Sequence, residues 1–74
     1  MALEDLYIGI EEHRLIRFFY TNQKGESGWR TTEPYSVERG LFFGYDLQKD
    51  GTRSFFLAAM ENVELLEITF IPRF

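Results

Sequence analysis

The chain contains no cysteine and a single histidine, His13. Neither a disulfide nor a thiolate metal site can brace it, and a histidine-based metal site would lack its second imidazole. No apolar run approaches the roughly 20 residues of a membrane-crossing helix. The start, Met1-Ala2-Leu3-Glu4-Asp5, lacks the basic opening of a secretory signal. Positive charge is the scarcer sign: eight Lys and Arg face twelve Asp and Glu, a net charge of −4 that works against non-specific attachment to phosphate backbones. The resulting expectations are no metal, no cofactor, no membrane, a cytoplasmic location, and nucleic acid disfavoured as a partner.

Apolar packing must therefore hold the chain together. At 74 residues it is expected to form one domain, 1–74, and a domain this small buries only about 60% of its unfolded surface. Aromatics make up 18% of the chain, with eight Phe, four Tyr and Trp29, which is more than so thin a core encloses easily. The surplus points to exposed aromatics or a subunit interface, with a homodimer as the simplest outlet.

From Leu3 to His13 the apolar residues Leu3, Leu6, Tyr7 and Ile10 recur at helical spacing, so a helix is expected over 3–13. Glu4 and Asp5 in its first turn and His13 and Arg14 in its last would suit the helix dipole. The barrel is expected over 15–71. Leu15 to Tyr20 reads as a first strand, with Ile16, Phe18 and Tyr20 on one face. A polar loop from Thr21 to Gly28 follows, with two glycines available for positive φ, and Trp29 to Glu33 returns as a second strand. Pro34 marks a strand end, an edge or a bulge. Arg39-Gly40 punctuates the chain before a third strand, Leu41 to Asp46, in which Gly44 signals a bulge or a close backbone approach. Lys49-Asp50-Gly51 is a turn, Thr52 to Ala59 a fourth strand, Glu61-Asn62 a break, and Val63 to Ile71 a fifth. The order is mainly β with one helix: an N-terminal helix followed by a five-stranded antiparallel, partly open barrel of the SH3-like or Sm-like kind. The expected core is Ile16, Phe18, Leu57, Leu66, Ile68 and Phe70.

Three segments carry a family resemblance. Arg30-Thr31-Thr32-Glu33-Pro34-Tyr35 resembles the Arg-x-x-x-Pro-Tyr of the WYL domain, Gly44-Tyr45-Asp46 is similar to the segment after that family's naming tripeptide, and Arg53-Ser54-Phe55 with Leu57 is similar to its Arg-x-Phe-x-Leu. The resemblance runs from Arg14 to Phe70. The tripeptide itself falls on Gly40-Leu41-Phe42, and Phe56, Ala58, Ala59 and Met60 stand where the family often continues with Arg and Asp-Arg-Ile. It implies a small barrel found mostly in bacterial transcription regulators, here as a stand-alone or excised module without the helix-turn-helix region that usually precedes it.

Arg30 and Arg53 align with family arginines, and a planar guanidinium grips a carboxylate or phosphate with two hydrogen bonds. The alternative for each is an ordinary cross-strand ion pair. Tyr35 and Tyr45 are expected to line the same cleft, or else to be half-buried barrel residues. Trp29 reads as a stacking platform for a base, or as a cap or interface residue. Phe19, Phe56 and Phe74 are the candidate interface residues. Asp46 and Asp50 suit a solvated hairpin and have no EF-hand register. Ser27, Ser36 and Ser54 have only His13 as a base and no nucleophile-elbow setting, so enzymatic activity has no support. Three functions follow from different classes: a module sensing a small anionic ligand or nucleotide through Arg30 and Arg53, a homo-oligomeric interaction module, or a single-stranded nucleic-acid binder.

Overall fold

The computed structural model describes residues 3–74. Helix α1 spans Leu3–Glu12, and its buried positions are Leu6 and Gly9. The helix presses so closely on the following strand that a Cβ on Gly9 would lie 3.0 Å from the Ile16 side chain and 3.1 Å from the Arg14 carbonyl oxygen. That approach centres the buried face on Leu6 and Gly9 and leaves Leu3 and Tyr7 exposed, so the expected stripe is only partly realised. His13 and Arg14 are not in the last turn as expected. His13 leaves the helix in the left-handed conformation, φ 54°, and Arg14 already belongs to the first strand. There its Nε donates to the Leu66 carbonyl at 2.9 Å and its Nη1 to Glu12 at 3.0 Å.

Five strands follow: β1 Arg14–Thr21, β2 Ser27–Glu38, β3 Leu41–Asp46, β4 Gly51–Phe56 and β5 Met60–Thr69. They form one antiparallel sheet in the order β4-β3-β2-β1-β5. Ile16, Phe18 and Tyr20 alternate inward along β1 as expected. Phe18 lies at the centre, edge-on to Phe55 at 5.0 Å, Phe42 at 5.8 Å and Tyr20 at 6.1 Å between ring centroids. Leu6 closes this cluster from the helix and Met60 from β5.

The turns follow the local chemistry. Asn22 Oδ1 accepts the backbone N–H groups of Lys24 and Glu26, both at 2.9 Å, and Gly25 takes φ 83°. Gly28 lies inside β2 and is not in a left-handed conformation. Arg39 and Gly40, at φ 50° and 80°, make a two-residue turn of the kind that matches strand twist.

β2 runs well past its expected end. Its first half, to Thr32, pairs with β1, and its second half, from Thr32, pairs with β3, with a register shift between Pro34 and Ser36. Pro34 is tolerated in the middle strand because the β1 ladder has stopped at Thr32, so no donor is needed on that side. The fourth strand stops at Phe56, not Ala59, and Leu57–Ala59 form a 3₁₀ turn. β5 then starts at Met60 and passes through the expected break. Asn62 takes φ 52°, and the β1–β5 register shifts between Arg17 and Phe19. Beyond it the expected faces are reversed: Val63 and Leu65 pack on the core, whereas Ile68 is 59% exposed and Phe70 lies beyond the strand against His13 and Tyr35. Leu66 is half-buried outside the core cluster, and Leu57 packs against it as expected.

The sheet curls without closing. Tyr20 Oη accepts the Phe56 N–H at 2.9 Å, and the Leu57 N–H donates to the Gly40 carbonyl at 3.0 Å, drawing the β4 edge towards the end of β1. β4 and β5, the two outer strands, share no ladder. Among the described residues no helix is long and apolar enough to cross a membrane.

Candidate ligand groove and C-terminal clasp

The curl leaves a groove of 590 Å³ between β4 and the β1–β2 loop. Arg53 stands on the same face of β4 as buried Phe55 and pairs with Gly44 of β3. Gly44 is a point of close approach, as expected: a Cβ there would lie 3.0 Å from the Glu33 carbonyl oxygen and 3.1 Å from the Phe42 ring. Arg30 enters the same groove from β2, Lys24 from the β1–β2 loop and Lys49 from the β3–β4 turn. Four of the chain's eight cationic side chains thus line one groove, where among the described residues the sole acidic one is Glu26, itself hydrogen-bonded to Asn22 at 2.8 Å. Among the described residues Lys24, Lys49 and Arg53 make no ion pair.

Arg30 does make one. Its Nη1 lies 3.0 Å from Asp46 Oδ2, and Asp46 is fully buried, which corrects its reading as part of a solvated hairpin. The carboxylate is folded into its own turn: Oδ1 accepts the N–H groups of Gln48 at 3.0 Å and Lys49 at 3.3 Å. One aspartate therefore anchors Arg30 and shapes the turn that carries Lys49. The clue in the sequence is an aspartate opening a turn that ends in Asp-Gly, the arrangement in which a short carboxylate caps its own backbone.

Tyr35 and Tyr45 do not join this groove. Tyr45 pairs with Glu33, whose neighbours Thr32 and Pro34 face the core, so both lie on the other face of the sheet. There the C-terminal segment meets them. Arg73 donates from Nε to Glu33 Oε1 at 2.9 Å and from Nη2 to Oε2 at 3.1 Å. Its guanidinium carbon sits 3.8 Å from the centroid of the Tyr45 ring. The Tyr35 hydroxyl donates to Glu33 Oε1 at 2.7 Å and accepts the Arg73 N–H at 3.1 Å, while Tyr45 donates to Asp50. Phe74 and Phe70 stack edge-on against Tyr35 at 5.1 and 5.8 Å.

These contacts shift the phenols. Burial pushes Tyr35 above its usual value, with Glu33 adding to the rise and the Arg73 N–H opposing it. The hydrogen bond to Asp50 lifts Tyr45, and Glu33 holds Arg73 still more firmly protonated. Nothing in the spacing of Glu33, Tyr45 and Arg73 announces this clasp, because strand pairing and a chain reversal bring them together.

Of the candidate interface residues, Phe19 is covered by Trp29 at 5.5 Å, and Arg17 lies 3.8 Å over the same indole, so Trp29 is engaged within the chain. Phe74 retains large exposure despite its contact with Tyr35, and Phe56 is 47% exposed beside the groove. Among the described residues no three His, Cys, Asp or Glu side chains gather as a metal site.

A helix-fronted, five-stranded antiparallel sheet curled into a partly open barrel defines a small barrel-like β module. No family model and no curated protein matches the sequence. A solved structure does: Proteasome accessory factor B/C (PafBC) of Arthrobacter aurescens, a WYL-domain-containing protein, superposes with a TM-score of 0.80 at 26% identity over 92% of this chain. The chain is a WYL-like domain, as the Arg-x-x-x-Pro-Tyr segment implied. It spans 11% of the length of that relative.

Proposed function

We propose that this WYL-like domain is a non-catalytic regulatory module that binds a small anionic ligand, such as a nucleotide, in the groove between β4 and the β1–β2 loop. The observation that carries the reading is the gathering of Lys24, Arg30, Lys49 and Arg53 in one groove of an acidic chain, three of them without a carboxylate partner among the described residues. Charges left unpaired beside half-enclosed aromatic surface suit a ligand that brings phosphate or carboxylate oxygens, and Arg53 can grip these with two hydrogen bonds. Likeness to PafBC supports a regulatory role for the module.

Titration calorimetry with nucleoside mono- and diphosphates, beside short single-stranded oligonucleotides, tests the reading at two salt concentrations. Binding that weakens with salt and is lost in Arg53→Glu supports it; indifference to both defeats it. Tighter binding of oligonucleotides than of mononucleotides would favour a single-stranded nucleic acid over the small ligand.

Self-association is a second reading, favoured by the exposure of Phe56 and Ile68 on the two outer strands. Light scattering at micromolar concentration distinguishes a dimer from the 8.8 kDa chain, and Phe56→Arg should dissolve a dimer built on β4.

A further inference from the structure

We propose that Glu33, Tyr35 and Tyr45 form an arginine-recognition site whose resident ligand is the chain's own Arg73 and which accepts an arginine-aromatic peptide in trans when that segment is withdrawn. The partners are unequal in the way a receptor and a ligand are. The Glu33 side chain is 6% exposed and the Arg73 side chain 44%, so the carboxylate belongs to the sheet and the guanidinium comes to it from outside.

The site is organised by residues other than its guest. Strand pairing sets Glu33 opposite Tyr45. The Tyr35 hydroxyl holds one Glu33 oxygen, and Asp50 holds the Tyr45 hydroxyl, which steadies the ring that the guanidinium covers. A planar fork of donors fits this geometry, meeting two carboxylate oxygens at once while stacking on a phenol, and a lysine ammonium cannot do both. The aromatic residue after the arginine has its own seat, since Phe74 lies edge-on to Tyr35.

The segment that delivers the arginine is held at its two ends, by the Phe70 N–H on the His13 carbonyl and by Arg73 and Phe74 in the site itself. Beyond Thr69 it has no regular structure, and Ile71 is almost wholly exposed. A short tether supplies an effective concentration on the order of millimolar, so a weak intrinsic affinity suffices to keep Arg73 seated. The same weakness makes it replaceable.

The test uses Arg73→Ala and the peptide acetyl-Ile-Pro-Arg-Phe-amide, followed by NMR shifts of the Tyr35 and Tyr45 rings. Saturable shifts are expected in Arg73→Ala, with affinity about tenfold weaker in the unaltered chain, whose site is filled in cis. The lysine version of the peptide should bind about tenfold more weakly than the arginine version. If Arg73→Ala does not fold, Arg73→Lys keeps the charge, and the arginine peptide should displace the lysine. Absence of peptide binding in the folded variant, equal binding of the lysine peptide, or binding that survives Glu33→Gln unchanged would each overturn the proposal.

Discussion

Arg30 and Asp46 meet at 3.0 Å from adjacent strands, the aspartate fully buried and the arginine side chain 15% exposed at the groove. A buried carboxylate deprived of its partners is costly, and Asp46 has three, counting the two N–H groups of its own turn.

Asp46→Ala strips the acceptor from Arg30 and from the Gln48 and Lys49 N–H groups, and is expected to destabilise the chain by roughly 3–5 kcal/mol, a large share of what a small domain has. Asp46→Asn should cost less, because an amide oxygen can still cap the turn. Urea unfolding of the two variants checks the order, and a loss below about 1 kcal/mol for Asp46→Ala would show that the ion pair and the turn are dispensable.

On β5, the side chains that matter are Val63 and Leu65. Leu65→Ala should cost about 2 kcal/mol or more and Ile68→Ala less than about half a kcal/mol, both measured by thermal or denaturant unfolding. The reverse ranking would put the core on the other face of β5.

Gly44 admits no side chain without movement of the Glu33 carbonyl or the Phe42 ring. Gly44→Ala should lose about 1–3 kcal/mol, as overpacking does, and should displace Arg53 from the groove wall because the two residues are paired. Unfolding and ligand titration of the same variant read the two effects separately.

Stability should also fall on the alkaline side. Tyr35 and Tyr45 titrate above the ordinary 10.0 in the folded chain. Below that pH both phenols are protonated whether the chain is folded or not, so the contribution is complete. As pH rises further the unfolded chain gives up its protons first, the folded chain binds more of them, and stability is lost through the folded values. Unfolding measured from about pH 9 to pH 11 should show this decline, and it should be shallower in the variant with Tyr35→Phe and Tyr45→Phe.

The inward face of β1, the limits of β3 and the Arg39-Gly40 turn were legible because each rests on local rules: alternation, or the need for positive φ. Arg30 and Arg53 were grouped by resemblance alone; both line one groove because each lies on the core-side face of its strand. On β5 the alternation was read on the wrong face, because Leu66, Ile68 and Phe70 offer one apolar row and Val63 and Leu65 the other, and the local pattern does not say which of the two meets the core. Tyr35 and Tyr45 were read either as cleft residues or as half-buried barrel residues, and the second holds: the sheet turns them to the far side, where the segment around Arg73 covers them.

β1 lies between β2, which follows it directly, and β5, which comes last. A ribosome extruding this chain can deliver the α1-to-β4 portion early, with its hairpins forming as they emerge, but the second edge of β1 must wait until residue 69 is clear of the exit tunnel. During that interval Ile16, Phe18 and Tyr20 lack the Met60, Val63 and Leu65 side chains that cover them, and the strand edge is open to other chains. The closing step joins distant parts of the sequence, so it is the slow one, and any factor that holds the unfinished sheet would act on the edge of β1.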